Sequence, residues 1–537
     1  MSAAFEIVIA GGDVCDGTGA ARRRADVGVR GDRVAAIGDL VGASAARRID
    51  AAGRIVAPGF IDIHSHSDES VLIEPRLLST LHQGVTTVIA GNCGSSSAPA
   101  IGLGADEVDR RLERYAGRRT WTSFDEYLDA VGRSGTALNF CSFVGHGRLR
   151  QAVVGGDRRP PSAGELSAMR ALLASTLEEG AVGMASGLIY PPSAYAGTDE
   201  LAALGEVVAR YDGLYASHIR NEGARLVEAV EEGIAVGRRS GARVQLSHHK
   251  AAGSKNWGKV AATLALIAAA RDEGVDVAAD QYPYTASSTG LGVVVPDWVH
   301  EGGTAALLAR LRDPEVRRRI RHAETETERR WDAIVIARAR RHPDLVGRTV
   351  AAIAADRGVE PLEAACDLLL EEDAAVPIVI HSMCEADVQT VMRAPFVCVG
   401  SDSSAVATDG PLSEGQPHPR AYGCFPRVLA RYVRELGVLG MEEAIRKMTS
   451  LTASRLRLRQ RGELREGWFA DLVIFDPLAI ADAATFEQPH RYAEGIDAVI
   501  VNGVVALEHG RVGGTLPGRV LRRGRDLGTG AAVREAS

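Results

Sequence analysis

No stretch of this sequence approaches the roughly 20 consecutive apolar residues that a membrane-spanning helix requires, so a helical membrane protein is not expected. An excess of positive charge is also missing. With 62 Lys and Arg against 69 Asp and Glu, the formal net charge is -7 and the signs are interspersed, which argues against a nucleic-acid or membrane-surface partner. The seven cysteines (Cys15, Cys93, Cys141, Cys366, Cys384, Cys398, Cys424) are scattered, odd in number and without a CxxC pair, so they form no disulfide framework. The opening MSAAFEIVIAGG passes straight into strand-like alternation, with no charged leader and no small-residue cleavage site, which points to a cytoplasmic protein. Internal repeats and low-complexity linkers are absent as well. What remains is an ordinary globular composition, 46% hydrophobic and 24% charged over 537 residues, enough for one large domain with smaller attachments.

Residues 59–68, GFIDIHSHSD, carry the first chemical signal. The segment opens as an apolar run, and on a strand His64 and His66 leave the same face. Neutral imidazole is the commonest side-chain metal ligand, and two on one face can grip one ion. Two polar residues making ordinary hydrogen bonds at a strand end would look the same, so the reading depends on further ligands elsewhere.

Residues 5–56 are short apolar runs broken by Gly or Asp, the punctuation of a small antiparallel sheet. A matching pattern returns near the C-terminus in ADLVIFDP and IDAVIVNGVVALEHGRVGG. Both ends together predict a small β-sandwich formed from 1–58 and 461–537 around a middle of 59–460. That middle alternates apolar runs with helical stretches such as SAMRALLASTLEEG and KVAATLALIAAARDEG, which close on Gly. Repeated strand and helix imply parallel strands, and at this length an α/β fold of the closed (β/α)8 TIM-like barrel type. Nine runs compete for eight places. One of the last three, VDVAADQYPY, VPIVIHSM and FVCVGSDSS, is therefore an accessory strand, and the sequence leaves open which. Residues 297–350, crowded with Arg and Glu, read as a helical insertion above the barrel whose charges form a solvated face.

Chemistry in a parallel barrel collects at the C-terminal ends of its strands. Ligand-type residues fall there repeatedly: His64 and His66, Cys93 after TTVIAGN, His146, His218 after LYAS, His248 and His249 after VQLS, and Asp402 after VCVGS. Cys93 sits in a polar loop, which favours a ligand, whereas Cys141, Cys366 and Cys398 lie in apolar runs and read as small buried hydrophobes. His248 and His249 point to opposite faces, so one serves directly. His146 and His381 read as structural or supporting, and Asp402 has the alternative of capping a helix. GSKNWGK at 253–259 imitates a phosphate loop, but Val260 stands where Ser or Thr should bind magnesium.

The segments APGFIDIHSHSD, GVTTVIAGNCGSSSAP, GMASGLIYPPSAYAGTDEL, SHIRNEG, QLSHHK, DQYPYTASST, VGSDSS, HPRAYGCFPRVLARYV, KMTSLTASRL and GELREGWFADLVIFDP span essentially the whole chain. Together they resemble the amidohydrolase superfamily and, within it, the D-aminoacylase (N-acyl-D-amino-acid deacylase) family. HxH and ADLVIFDP mark the superfamily generally; NCG, SHHK, YPYTASST and HPRAYG are narrower. The resemblance implies one zinc ion held by Cys93, His218 and His248, with His64 and His66 at a second, weaker metal position. Cys93 then takes the place of the carboxylated lysine of many other amidohydrolases. Asp402 matches the family aspartate, and Lys250, Tyr282 and Ser288 match positions associated with substrate binding, with Tyr284 a rival to Tyr282. Arg420 in HPRAYG is a candidate for the substrate carboxylate, because a guanidinium fork suits a planar anion. Cys424 departs from the Thr expected of many relatives.

The implied reaction is hydrolysis of the amide of an N-acyl-D-amino acid by a monomer or homodimer, the D preference coming from the resemblance alone. Zinc lowers the pKa of its water to about 7, and Asp402 carries the water proton to the leaving nitrogen. One rival is a cyclic-amide hydrolase of the hydantoinase kind. Those enzymes usually keep a lysine on the fourth strand, and AVGMASGLIY has none. The other rival is a non-catalytic scaffold, which generally lacks the metal ligands seen here.

Overall fold

Five strands open the chain: β1 (Phe5–Val14), β2 (Arg23–Arg30), β3 (Arg33–Gly38), β4 (Ala45–Asp50) and β5 (Ile55–Pro58). They belong to a computed structural model that describes residues 4–324 and 329–528. Next come β6 (Phe60–Asp62), β7 (Val85–Ala90), β8 (Asn139–Ser142), β9 (Val144–Gly145), β10 (Gly183–Gly187), β11 (Leu214–His218), β12 (Arg243–Leu246) and β13 (Val277–Gln281). An inserted module contributes β14 (Ala286–Gly290), β15 (Ile334–Ile336) and β16 (Pro377–His381), after which β17 (Val397–Val399) returns to the barrel. The chain closes with β18 (Leu472–Phe475), β19 (Ile496–Val501), β20 (Val504–Glu508) and β21 (Arg511–Val512).

The barrel is parallel throughout. β6 pairs with β7 and β7 with β8; β9, which continues β8 beyond Phe143, pairs with β10, and the order runs on through β11, β12, β13 and β17. A parallel bridge between Ser65 and Ser403 closes the ring. β7 and β10 are buried at every position, as expected of strands covered on both faces. The outer helices start and stop where local chemistry directs. Ser123 and Ser162 form capping boxes with Glu126 and Glu165, and the helix Leu226–Ser240 ends at Gly241 with φ 72°.

VPIVIHSM is the accessory strand. As β16 it pairs antiparallel with β14 and β15, and its exposed His381 marks a sheet open on one side, unlike the enclosed barrel strands. The inserted module is wider than the 297–350 span and not purely helical, because these three strands flank its helices. It has its own core of Leu291, Val294, Leu307, Ile320, Ile336 and Leu368. Its charged run is ion-paired on the surface, with Arg317 reaching Glu363 at 2.9 Å and Asp367 at 2.7 Å.

Both chain ends share one sheet, in the order β21-β20-β19-β18-β5-β1-β2-β3, with β4 added beside β1. β5 and β18 form the join, with Val56 opposite Ile474 and Ala57 opposite Val473. Alternate residues of β18 serve two cores, since successive side chains of a strand point to opposite faces. Leu472 and Ile474 enter the core of the sheet, while Val473 and Phe475 enter the main barrel core. β3 curls back to the segment ahead of β18, where Val34 N donates to Trp468 O at 2.9 Å. No helix among the described residues is long and apolar enough to cross a membrane.

Candidate metal centre

β6 ends at Asp62, and His64 and His66 lie just beyond it, their rings 5.4 Å apart. His64 is fully buried: Nδ1 faces Asp280 Oδ1 at 3.0 Å, and Nε2 faces Cys93 Sγ at 3.2 Å and Asp402 Oδ1 at 3.3 Å. His66 Nε2 lies 3.0 Å from the same Asp402 oxygen. On the other side of the thiol, His248 Nε2 stands 3.6 Å from Cys93 Sγ and 2.8 Å from His218 Nδ1. The ligand atoms form two groups, His64, His66, Cys93 and Asp402 in one and Cys93, His218 and His248 in the other, each within 4.8 Å. Cys93 belongs to both.

Holding these atoms together strains the backbone. Cys93, His248 and Asp402 have φ of 52°, 37° and 50°, the left-handed region that costs a residue with a side chain about 1–2 kcal/mol. Such outliers persist only where the surroundings enforce them. Here two glycines let the Cys93 loop approach. A Cβ on Gly187 at the end of β10 would stand 2.1 Å from the Cys93 carbonyl oxygen, and one on Gly145 would stand 2.4 Å from that of Gly94. The buried Arg148 grips the same loop, donating from Nε to Ser96 O at 2.6 Å while pairing with Glu107 at 2.9 Å.

Electrostatics favour a cation. Burial pushes the Cys93 thiol up, but His64, His218 and His248 outweigh it and hold the group well below the usual thiol range, as a thiolate. Burial pushes His66 down, and Asp402 and the Cys93 thiolate overcome it, raising His66 to about 9. The thiolate and the carboxylate give the cluster a negative charge that a bound cation would balance. A thiolate, imidazoles and a carboxylate at these separations fit zinc, whose bonds to sulfur and nitrogen run about 2.0–2.3 Å.

The four candidate substrate residues line the same cavity of about 1680 Å³ as Cys93, His218, His248 and Asp402. Arg420 reaches Asp402 Oδ2 at 2.8 Å and lies 4.4 Å over the Tyr282 ring, and its Nη2 donates to Ser288 O at 3.4 Å. Burial raises the Asp402 carboxyl, but Arg420 and the imidazoles hold it well below the usual range, so it is ionised. Lys250 Nζ also lies over the Tyr282 ring, 5.5 Å from its centroid. The Tyr282 hydroxyl is buried without a hydrogen-bond partner. Tyr284 turns away from this cavity, packing on His418 at 5.1 Å and beneath Arg427 at 4.6 Å.

The remaining candidates go elsewhere. His249 binds Thr263 Oγ1 at 2.8 Å on the opposite face from His248. His146 binds Ser193 and Glu200, both at 2.9 Å, in a buried network. All seven cysteines are free, and Cys424 is buried with its Sγ 3.5 Å from Gly400 O. Sequence reasoning passed over Asp280, which holds both His64 Nδ1 and the His248 amide (2.8 Å), and Glu222, which touches His248 and Lys250. Burial would raise the Glu222 carboxyl, but Lys250 and His248 hold it well below the usual range. Both are carboxylates at strand ends, the signal already used for Asp402.

Residues 47–507 match the amidohydrolase family. The chain is 39% identical to a D-aminoacylase of Alcaligenes xylosoxydans xylosoxydans over 97% of its own length and 98% of that protein's. It is 40% identical to an N-acyl-D-glutamate deacylase of the same organism, with the same coverage. A crystal structure of N-acyl-D-glutamate deacylase from Bordetella bronchiseptica, complexed with zinc and a phosphonate inhibitor, superposes with a TM-score of 0.83 at 39% identity, covering 96% of this chain and 99% of that one. The protein therefore belongs to the amidohydrolase family, in the branch that holds D-aminoacylase and the N-acyl-D-glutamate deacylases.

Proposed function

We propose that the protein is a zinc-dependent hydrolase that cleaves the amide bond of N-acyl-D-amino acids, releasing a carboxylate and a D-amino acid. The observation that carries this reading is the convergence of Cys93, His218 and His248 on the wall of one cavity with Arg420, Lys250, Tyr282 and Ser288. Cys93, His218 and His248 hold the tighter zinc; His64 and His66, with Cys93 and Asp402, offer a second, weaker position. The D configuration follows the named activities of the relatives. A cytoplasmic location agrees with free thiols throughout and with a site that needs a reduced Cys93.

When bound, zinc supplies Lewis acidity, lowering the pKa of water to about 7 and polarising a carbonyl. Asp402 is ionised and lines the same cavity as Cys93, His218 and His248, so it accepts the proton of the attacking water and passes it to the departing nitrogen. Arg420 offers a guanidinium fork to the substrate carboxylate, and Lys250 and the unpartnered Tyr282 hydroxyl add donors beside it. Ser288 lines the same cavity, with its carbonyl oxygen 3.4 Å from Arg420 Nη2. Gripping the carboxylate on one side and the amide on the other fixes the α-carbon between them.

The test combines metal analysis with a kinetic screen of N-acetyl and N-succinyl derivatives of both enantiomers of each amino acid. The expected result is about one zinc per chain and turnover of D derivatives. A metal-free, fully active protein would refute the metal centre, and equal rates on L and D forms would refute the stereochemical part alone.

A further inference from the structure

Glu222 lies in neither ligand group, and no step above uses it. It sits on the segment that leaves β11 after His218, and its carbonyl accepts from Ala252 N at 2.7 Å, tying that segment to the one after β12. Its Oε1 is 2.9 Å from His248 Nδ1 and 2.5 Å from Lys250 Nζ, and those two nitrogens are 2.8 Å apart. Two nitrogens therefore meet at one oxygen.

The proton count at that point is restrictive. An imidazole that binds a cation through Nε2 must carry its proton on Nδ1, which makes Nδ1 a donor. The Lys250 ammonium has three donors and no acceptor. Two donors 2.8 Å apart have nothing to share, and both carry or adjoin positive charge. Glu222 Oε1 is the acceptor within reach of both.

We propose that Glu222 is a positioning residue that couples the metal centre to the substrate-carboxylate site. One oxygen takes the His248 Nδ1 proton, fixing the tautomer that presents Nε2 to the zinc, and also takes a Lys250 proton, parking the ammonium beside Tyr282. This rests on the metal-centre reading above. Without the Glu222 charge, His248 and Lys250 repel, and the zinc ligand suffers for the presence of a substrate-binding lysine. A residue that merely filled space would not link the two.

The experiment measures zinc dissociation constants by chelator competition on full-length wild type, Glu222→Gln, Lys250→Met and the double variant. Glu222→Gln is expected to weaken zinc roughly 10–100-fold, the usual effect of removing a carboxylate behind a ligating histidine. Lys250→Met is expected to bind zinc at least as tightly as wild type, and the double variant to recover most of the loss. At saturating zinc, Glu222→Gln should raise KM more than it lowers kcat. Should Glu222→Gln fail to fold by circular dichroism, Glu222→Asp replaces it: the charge is kept but withdrawn, and an intermediate zinc affinity that Lys250→Met improves is expected. Wild-type zinc affinity in the Glu222 variant that folds, or no recovery on adding Lys250→Met, would overturn the coupling. A wild type that binds no zinc would overturn the metal-centre reading, and the coupling with it.

Discussion

Gly187→Ala tests whether the position of the Cys93 backbone governs the metal centre. The φ of Gly187 is not in the left-handed region, so alanine is conformationally acceptable there and by itself gains about 0.5–1 kcal/mol over glycine in a strand. Against this, the new Cβ would lie 2.1 Å from the Cys93 carbonyl oxygen and 2.8 Å from its carbon, where real Cβ contacts stay beyond 3.0 Å. Either β10 or residue 93 must give by roughly 1 Å, a displacement that can cost about 100-fold in rate when it falls on reacting groups. Overpacking of this kind costs about 1–3 kcal/mol, leaving a modest net loss of stability. Gly183→Ala is the control. It clashes equally, 1.9 Å from Leu214 O, but at the opposite end of β10. Both variants should lose stability in urea, and only Gly187→Ala should lose zinc on dialysis and about 100-fold in kcat/KM. Retention of zinc and of kcat/KM within about 3-fold by a folded Gly187→Ala would refute the reasoning.

Other expectations follow from single contacts. Asp402→Asn should keep zinc at Cys93, His218 and His248 while kcat falls about 100- to 10,000-fold, and near-normal turnover would contradict its proton-carrying role. Tyr282→Phe should raise KM about 10-fold or more by removing a hydrogen bond to a charged group, whereas Tyr284→Phe, outside the cavity, should leave KM within about 2-fold; equal effects would place the substrate elsewhere. His418 is held neutral: burial, then Arg420, pushes it well below its ordinary value, while Nδ1 accepts from Arg420 N at 3.0 Å and Nε2 donates to Ala286 O at 2.9 Å. Below about pH 6.5 the unfolded chain binds a proton here that the folded chain does not, so stability falls as pH drops, by about 1.4 kcal/mol between pH 7.5 and 5.5. Urea titrations should show that part of the pH slope vanish in His418→Gln; an unchanged slope would rule this group out.

The candidate ligands were legible because each sits at or just beyond the end of an enclosed apolar strand, where a polar residue has no structural reason to cluster. Choosing among the last strand candidates was another matter. VPIVIHSM and FVCVGSDSS have the same apolar character, and only their partners, antiparallel for β16 and parallel for β17, separate them. The span 297–350 looked purely helical because the strand inside it, β15, is three residues long, while β14 and β16 lie outside it. Tyr282 and Tyr284 would share a face on a continued strand, but β13 ends at Gln281 and the chain turns, sending one ring to the cavity and the other to His418. Glu222 lies within the segment SHIRNEG, yet its two partners come from the following strand end, a distance that spacing along the chain does not encode.

The join of β5 to β18 sets a timetable for synthesis. Val56 leaves the ribosome about 400 residues before its partner Ile474, a wait of roughly 20–80 s at about 5–20 residues per second. Throughout that interval the edge of β5 is bare, a template for any stray strand. A nascent chain arrested before residue 472 holds every candidate zinc ligand and still lacks the strand that seals its N-terminal edge. Completing the last short strands is thus what covers this edge, and premature termination there should yield aggregates, not a smaller working enzyme.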